Sequence, residues 1–219
     1  MFVSRKKFLQ DLEAVDYIKY DNIPADWPAI VRACEAAVEA NPTHWCSLVI
    51  DKSSFDSWDT LGDEYIESMR QHREWGYTPE NTRSWETTST KPQVIMSWEQ
   101  AITDQLPLLP GATSRPTLQR PGNIMPWHMD RFFYFRRNHP EGEHVIRFLI
   151  FMKDWQTGHM LQAGNSILSH WRAGDVIVWH PNRWHLSLNA GFSDKWTTNI
   201  TGILAEEIWI KNTNENINT

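Results

Sequence analysis

Hydrophobic positions change their spacing about halfway along the chain. Across residues 6–18 the apolar residues Phe8, Leu9, Leu12 and Val15 recur every three or four positions, the stripe of an amphipathic helix. A second helix is marked more fully. Asp26 is a capping residue, Pro28 suits a first turn, Ile30, Val31, Cys34 and Val38 supply a buried face, and Asn41-Pro42 stops it. Residues 45–50 read as a strand, and residues 58–75 as a longer helix closed by Gly76. Residues 76–93 are polar and aperiodic, which predicts a long loop: either a cover that orders over substrate, with Arg83, Trp85 and Glu86 touching it, or a disordered segment.

From Pro116 onward short β runs dominate: 116–119, 124–129, 132–135, 145–152, 166–170, 175–179, 185–188 and 196–203. Turns at Pro121-Gly122, Gly142, Gly164, Gly174 and Gly191 separate them. Many short strands at this spacing predict a sandwich or barrel, here two facing sheets of a jelly roll. The expected architecture is α+β in a single domain over residues 1–210. Residues 1–115 form a mainly helical support, residues 116–205 the sheet core, and residues 211–219 a polar, frayed tail.

Composition narrows the function classes. A chain of 219 residues with 41% hydrophobic content suits one domain with a sizeable core. Its 13 tryptophans are expected mainly as core and rim aromatics. A net charge of -6 offers no basic stripe, so a small-molecule substrate is expected rather than nucleic acid. Cys34 and Cys46, with no signal-like segment ahead of them, are expected as reduced thiols of a cytoplasmic protein. No apolar run approaches the roughly 18 residues of a membrane span. No pattern fixes an oligomeric state.

The candidate chemistry lies in the stretch TLQRPGNIMPWHMD, which ends in His128 and Asp130. In an extended strand residues two apart project from one face, so an imidazole and a carboxylate converge. His185 follows the apolar strand Val176-Ile177-Val178-Trp179 and its turn. Two histidines and one carboxylate on one face of a metal, with the remaining positions open, form the ligand set of non-haem Fe(II) oxygenases. His128, Asp130 and His185 are therefore the candidate metal ligands and catalytic residues. His180 is expected in a surface or supporting role, and His139, His144, His159 and His170 lack a paired spacing.

These motifs resemble the Fe(II)/2-oxoglutarate-dependent oxygenases with a double-stranded β-helix core, most closely the aspartyl/asparaginyl β-hydroxylase group, which includes free-proline hydroxylases. The resemblance rests on RPGNIMPWHMD, the arginine strand VIRFLIF and WRAGDVIVWHPNRWH, within residues 116–205. It implies Fe(II) as cofactor, 2-oxoglutarate and O2 as co-substrates, and hydroxylation of an unactivated C–H bond with release of succinate and CO2. It also implies a cation for the far carboxylate of 2-oxoglutarate. Lys195, ten residues beyond His185, occupies the family position, although many members of the group carry arginine there. Arg147, set among apolar residues, is the other candidate. A buried arginine requires an anionic partner, whether co-substrate, substrate carboxylate, or an acid such as Asp130 or Asp154. Thr117, at the family's hydroxyl position ahead of the Pro-Gly turn, and Thr197, in phase with Lys195 on the last strand, are candidate hydrogen-bond donors to that carboxylate, and both equally suit ordinary strand threonines. A small polar metabolite such as a free amino acid is the expected substrate, with a peptide or protein side chain as the alternative. A cupin-like metal module is disfavoured because the His-x-His of that signature is missing.

Overall fold

The computed structural model describes residues 1–40, 45–47, 63–86, 93–139 and 141–210. Strand β1 (Phe2–Ser4) leads into helix α1 (Arg5–Ala14), where the Ser4 hydroxyl accepts from the Lys7 amide as N-cap. The helix stops at Ala14, short of the predicted residue 18, and the chain turns into strand β2 (Ile18–Asn22). Helix α2 (Trp27–Ala40) starts where Asp26 accepts the Ala29 amide, and it buries Ile30, Val31, Cys34 and Val38 as the stripe predicts. Strand β3 (Trp45–Ser47) and helix α3 (Asp63–Glu74) follow; the predicted extensions into residues 48–50 and 58–62 lie outside the described residues, as do Asn41-Pro42 and the tail 211–219.

The predicted loop 76–93 contains a strand, β4 (Arg83–Glu86), paired to β3 on one side and on the other to β5 (Thr113–Gln119). Trp85 is 1% exposed and sits edge-on to Trp196, which corrects the expectation that it touches substrate. Helix α4 (Gln93–Thr103) lies between β4 and β5 in sequence. Strand β6 (Ile124–His128) is followed by helix α5 (Phe133–Asn138), where the aromatic run 132–135 predicted a strand. Phe132 takes a left-handed turn (φ 51°), and the amide of His139 bonds back to the Phe135 carbonyl, so local backbone pairing overrides the β preference of the side chains. Then come β7 (Val145–Phe151), β8 (His159–Ala163), β9 (Ser166–Leu168), β10 (Asp175–Val178), β11 (His185–Asn189), β12 (Lys195–Ile203) and β13 (Glu207–Trp209).

A seven-stranded sheet has the order β2-β10-β7-β12-β5-β4-β3, and a four-stranded sheet the order β6-β11-β8-β9. The helical half of the chain thus contributes β2, β3 and β4 to the larger sheet; the sequence pattern marks β3 as a strand, but not β2 or β4. Alternation gives the larger sheet two different faces. Ile146, Phe148 and Ile150 of β7, with Trp196 and Ile200 of β12, pack under Phe8, Leu12 and the buried face of α2. Leu149, Phe151 and Ile177 point the other way and meet Leu161 and Leu168 of the smaller sheet, with Trp171 and Trp179, in a second core. That second core closes one part of the space between the sheets. The rest is polar.

Candidate active site

Arg147 and Leu149 on β7, Arg115, Thr117 and Gln119 on β5, and Thr197 and Asn199 on β12 face His128, His185 and Ser187 across the gap between the sheets. The register explains the grouping. Thr117 pairs with Thr197, Arg115 with Asn199, Gln119 with Lys195, and Thr201 with Arg147, so alternate residues of three neighbouring strands share one face.

His185 opens β11 and pairs with His128 at the end of β6. Their ring centroids are 4.1 Å apart, and Trp179 packs 4.6 Å from His185. Asp130 lies two residues beyond His128, past the end of β6, so the convergence comes from the chain's turn after the strand and not from one continuous strand as the spacing suggested. The ligand atoms of His128, Asp130 and His185 all lie within 4.8 Å of one another.

Hydrogen bonding orients all three. His128 Nδ1 donates to the Pro126 carbonyl at 2.8 Å and His185 Nδ1 to the Arg183 carbonyl at 3.0 Å. Each Nε2 therefore carries the free lone pair, the form in which imidazole binds a metal. The Arg147 guanidinium donates to Oδ1 of Asp130, while Oδ2 is buried without a hydrogen-bond partner, 3.7 Å from His185 Nε2. A buried carboxylate oxygen left unpaired is costly, and a cation bound there would satisfy it.

The electrostatics agree. Burial, reinforced by His185, pushes the His128 imidazole down to about 3. Burial likewise lowers His185, although Asp130 opposes the shift. Both rings are thus neutral at physiological pH and able to accept a metal. Burial alone would raise the Asp130 carboxyl, but Arg147 and the two histidines outweigh it and hold it below the usual carboxylate range. The donor set fits a divalent metal: two neutral imidazoles, one carboxylate, and a face turned to the cavity.

Lys195 is 2% exposed and sits behind the cavity wall. Its Nζ donates to the Met160 carbonyl (2.6 Å), Ser187 Oγ (2.7 Å) and the Leu188 carbonyl (3.3 Å), and Ser187 Oγ in turn donates to Gln119 Oε1 (2.6 Å). Burial without a counter-charge brings the ammonium down to about 7. Thr117 and Thr197 both line the cavity; Thr117 Oγ1 donates to the Arg115 carbonyl at 3.2 Å. His180 lies in a turn where its Nδ1 accepts the Asn182 amide, away from the ligand triad. The sequence reading missed Arg115, Gln119, Ser187 and Asn199. The period-two rule, applied outward from Thr117, His185 and Lys195, would have reached them.

No protein-family model matches the chain, and no curated protein matches it in sequence. Among solved structures, the non-heme alpha-ketoglutarate-dependent carbocyclase SnoK from nogalamycin biosynthesis aligns over 97% of this chain and 90% of its own, at 12% identity and a TM-score of 0.52. The non-heme monooxygenase ThoJ, solved as a nickel complex, aligns over 91% and 78% at 12% identity, with a TM-score of 0.46. A Pseudomonas putida prolyl-4-hydroxylase aligns over 78% and 97% at 15% identity, with a TM-score of 0.40. At such identities it is the fold that is shared, and the sheet order and the likeness to SnoK identify that fold as a double-stranded β-helix.

Proposed function

We propose that the protein is a non-haem Fe(II)- and 2-oxoglutarate-dependent oxygenase that hydroxylates a C–H bond of a small polar metabolite such as a free amino acid. The observation that carries this reading is the convergence of two imidazoles, each with Nδ1 tied to a carbonyl, and one unpaired carboxylate oxygen beside the cavity between the sheets. His128 Nε2, Asp130 Oδ2 and His185 Nε2 hold the metal, and the positions left open are what co-substrate and O2 chemistry requires. Bound iron supplies the oxidising power; the chain supplies orientation and charge.

Arg147 serves the metal ligand, because its guanidinium is engaged by Asp130 and Thr201. The co-substrate carboxylate is then drawn toward Lys195, with Ser187, Gln119, Thr117 and Thr197 donating or relaying hydrogen bonds from the cavity wall. An arriving carboxylate provides the counter-charge that Lys195 lacks. Arg115 and Asn199, paired across β5 and β12 on the Asp130 side, suit the carboxylate of an amino-acid substrate. The test is succinate formation by the Fe(II)-loaded protein with 2-oxoglutarate against a panel of free amino acids, nucleosides and peptides. Turnover stimulated by a free amino acid is expected. Stimulation by peptides alone would shift the substrate class, and metal binding without any succinate would sink the oxygenase reading.

A further inference from the structure

Behind the smaller sheet, on the side away from the metal ligands, lies a second cleft of about 440 Å³, within the size range of small-ligand sites. Trp127 and Trp184, the residues just before His128 and His185, line it together with Trp75, in the turn that follows α3. Gln71 of α3, Gln162 of β8 and Asn165 of the following turn line it from three separate elements; Gln71 Nε2 donates to Glu67 and Gln162 Nε2 to the Gly164 carbonyl, which leaves both amide oxygens as acceptors. The cleft is held open by its framework. His72 is 3% exposed, and its ring bridges the Ser68 carbonyl (2.6 Å) and the Trp127 carbonyl (2.8 Å), fixing α3 against β6. Trp75 and Trp184 are nevertheless 66% and 48% exposed, an unusual placement for large rings on a rigid frame.

Chemistry selects the occupant. Among the described residues no lysine, arginine, aspartate or glutamate lines the cleft, and His72, which does, is buried with both ring nitrogens against backbone carbonyls, so a phosphate, carboxylate or ammonium finds no free charged partner. Indole rings bind flat, weakly polar faces. Primary amides both donate and accept, as hydroxyl groups do, and the three here come from different elements. A ligand with apolar C–H faces and hydrogen-bonding groups all round its rim is a pyranose. We propose that this cleft is a binding site for a neutral saccharide of one or two sugar units. It is separate from the metal pocket, and none of the residues lining one lines the other.

The test is saturation-transfer NMR with tryptophan fluorescence on the full chain, using glucose, N-acetylglucosamine, maltose and cellobiose as probes and adenosine as a planar comparison. At least one sugar should saturate below about 50 mM, and its binding should weaken about tenfold or more in both Trp75→Ala and Trp184→Ala. Both rings are exposed, so far-UV circular dichroism should be unchanged. Asp130→Ala should bind the sugar normally, which keeps this test independent of the oxygenase reading. Any one of three results would overturn the proposal: no saturation by any of the four sugars, undiminished binding in both variants, or binding of adenosine alone. A dimer that dissociates in Trp184→Ala and ignores sugar would instead mean that a second copy of the chain covers the cleft, and would overturn it too.

Discussion

Arg147 sits on the cavity face of a strand whose neighbours Ile146 and Phe148 face the helices, so alternation alone carries a guanidinium into the site. Its bond to Asp130 Oδ1 leaves Oδ2, unpaired among the described residues, as the oxygen that would meet a metal. Arg147→Met should therefore weaken Mn(II) binding, followed by electron paramagnetic resonance, by about 10- to 100-fold, the usual cost of losing a partner that orients a ligand. A large rise in the KM for 2-oxoglutarate with unchanged metal affinity would instead make Arg147 the co-substrate anchor. Lys195→Met should show the converse pattern, with near-normal metal affinity and a KM for 2-oxoglutarate raised about ten- to a thousand-fold, as for loss of a charge-assisted contact worth roughly 1.5–4 kcal/mol. An unchanged KM in Lys195→Met would refute that assignment.

At the scale of elements, β4 is the largest departure from the sequence pattern. Trp85, buried against Trp196 and opposite Leu118, makes the strand part of the core. Trp85→Ala should lower stability by about 3–5 kcal/mol in denaturant titration, with little effect on substrate KM once folded. A stable variant with impaired substrate binding would restore the covering-loop reading. The strands that carry the ligands were legible because alternation and glycine turns are local signals; Gly174, at φ 89°, turns the chain into β10 just as its position in the sequence suggests. Strands β2, β4 and β8 were not legible. They are short, and their pairing depends on β10, β5 and β11, partners distant in sequence that no local window contains. The aromatic run at 132–135 misled for a related reason: side-chain preference pointed to a strand, but the described structure gives it a helical turn. Within the site, the triad was readable from residue type and spacing, whereas the Arg147–Asp130 bond was one of several open pairings until the register was known.

His128, His185 and Lys195 are buried groups whose neutral forms are favoured, and each ties the stability of the whole fold to pH. An unfolded histidine takes up a proton near pH 6.5, whereas folded His128 does so only near 3, and His185 is lowered in the same direction. Below pH 6.5 the unfolded chain binds more protons, so the metal-free protein should lose stability as pH falls toward 3, by up to about 1.4 kcal/mol per unit for each histidine. Lys195 gives the same sign at higher pH. Its folded value near 7 lies below the unfolded 10.5, so stability should rise as pH increases through that window, and Lys195→Met should flatten the rise. Denaturant titrations from pH 4 to 10 would check both slopes; a flat profile for the unsubstituted protein would contradict the burial of these groups. The central claim is that His128, Asp130 and His185 hold one metal with open positions facing the cavity. Its most direct test is anaerobic absorption spectroscopy of the Fe(II)-loaded protein titrated with 2-oxoglutarate. A visible charge-transfer band is expected that requires both Fe(II) and 2-oxoglutarate, saturates at one iron per chain, and is absent from Asp130→Ala. A band that survives Asp130→Ala, or no band in the unsubstituted protein with Fe(II) bound, would contradict that claim.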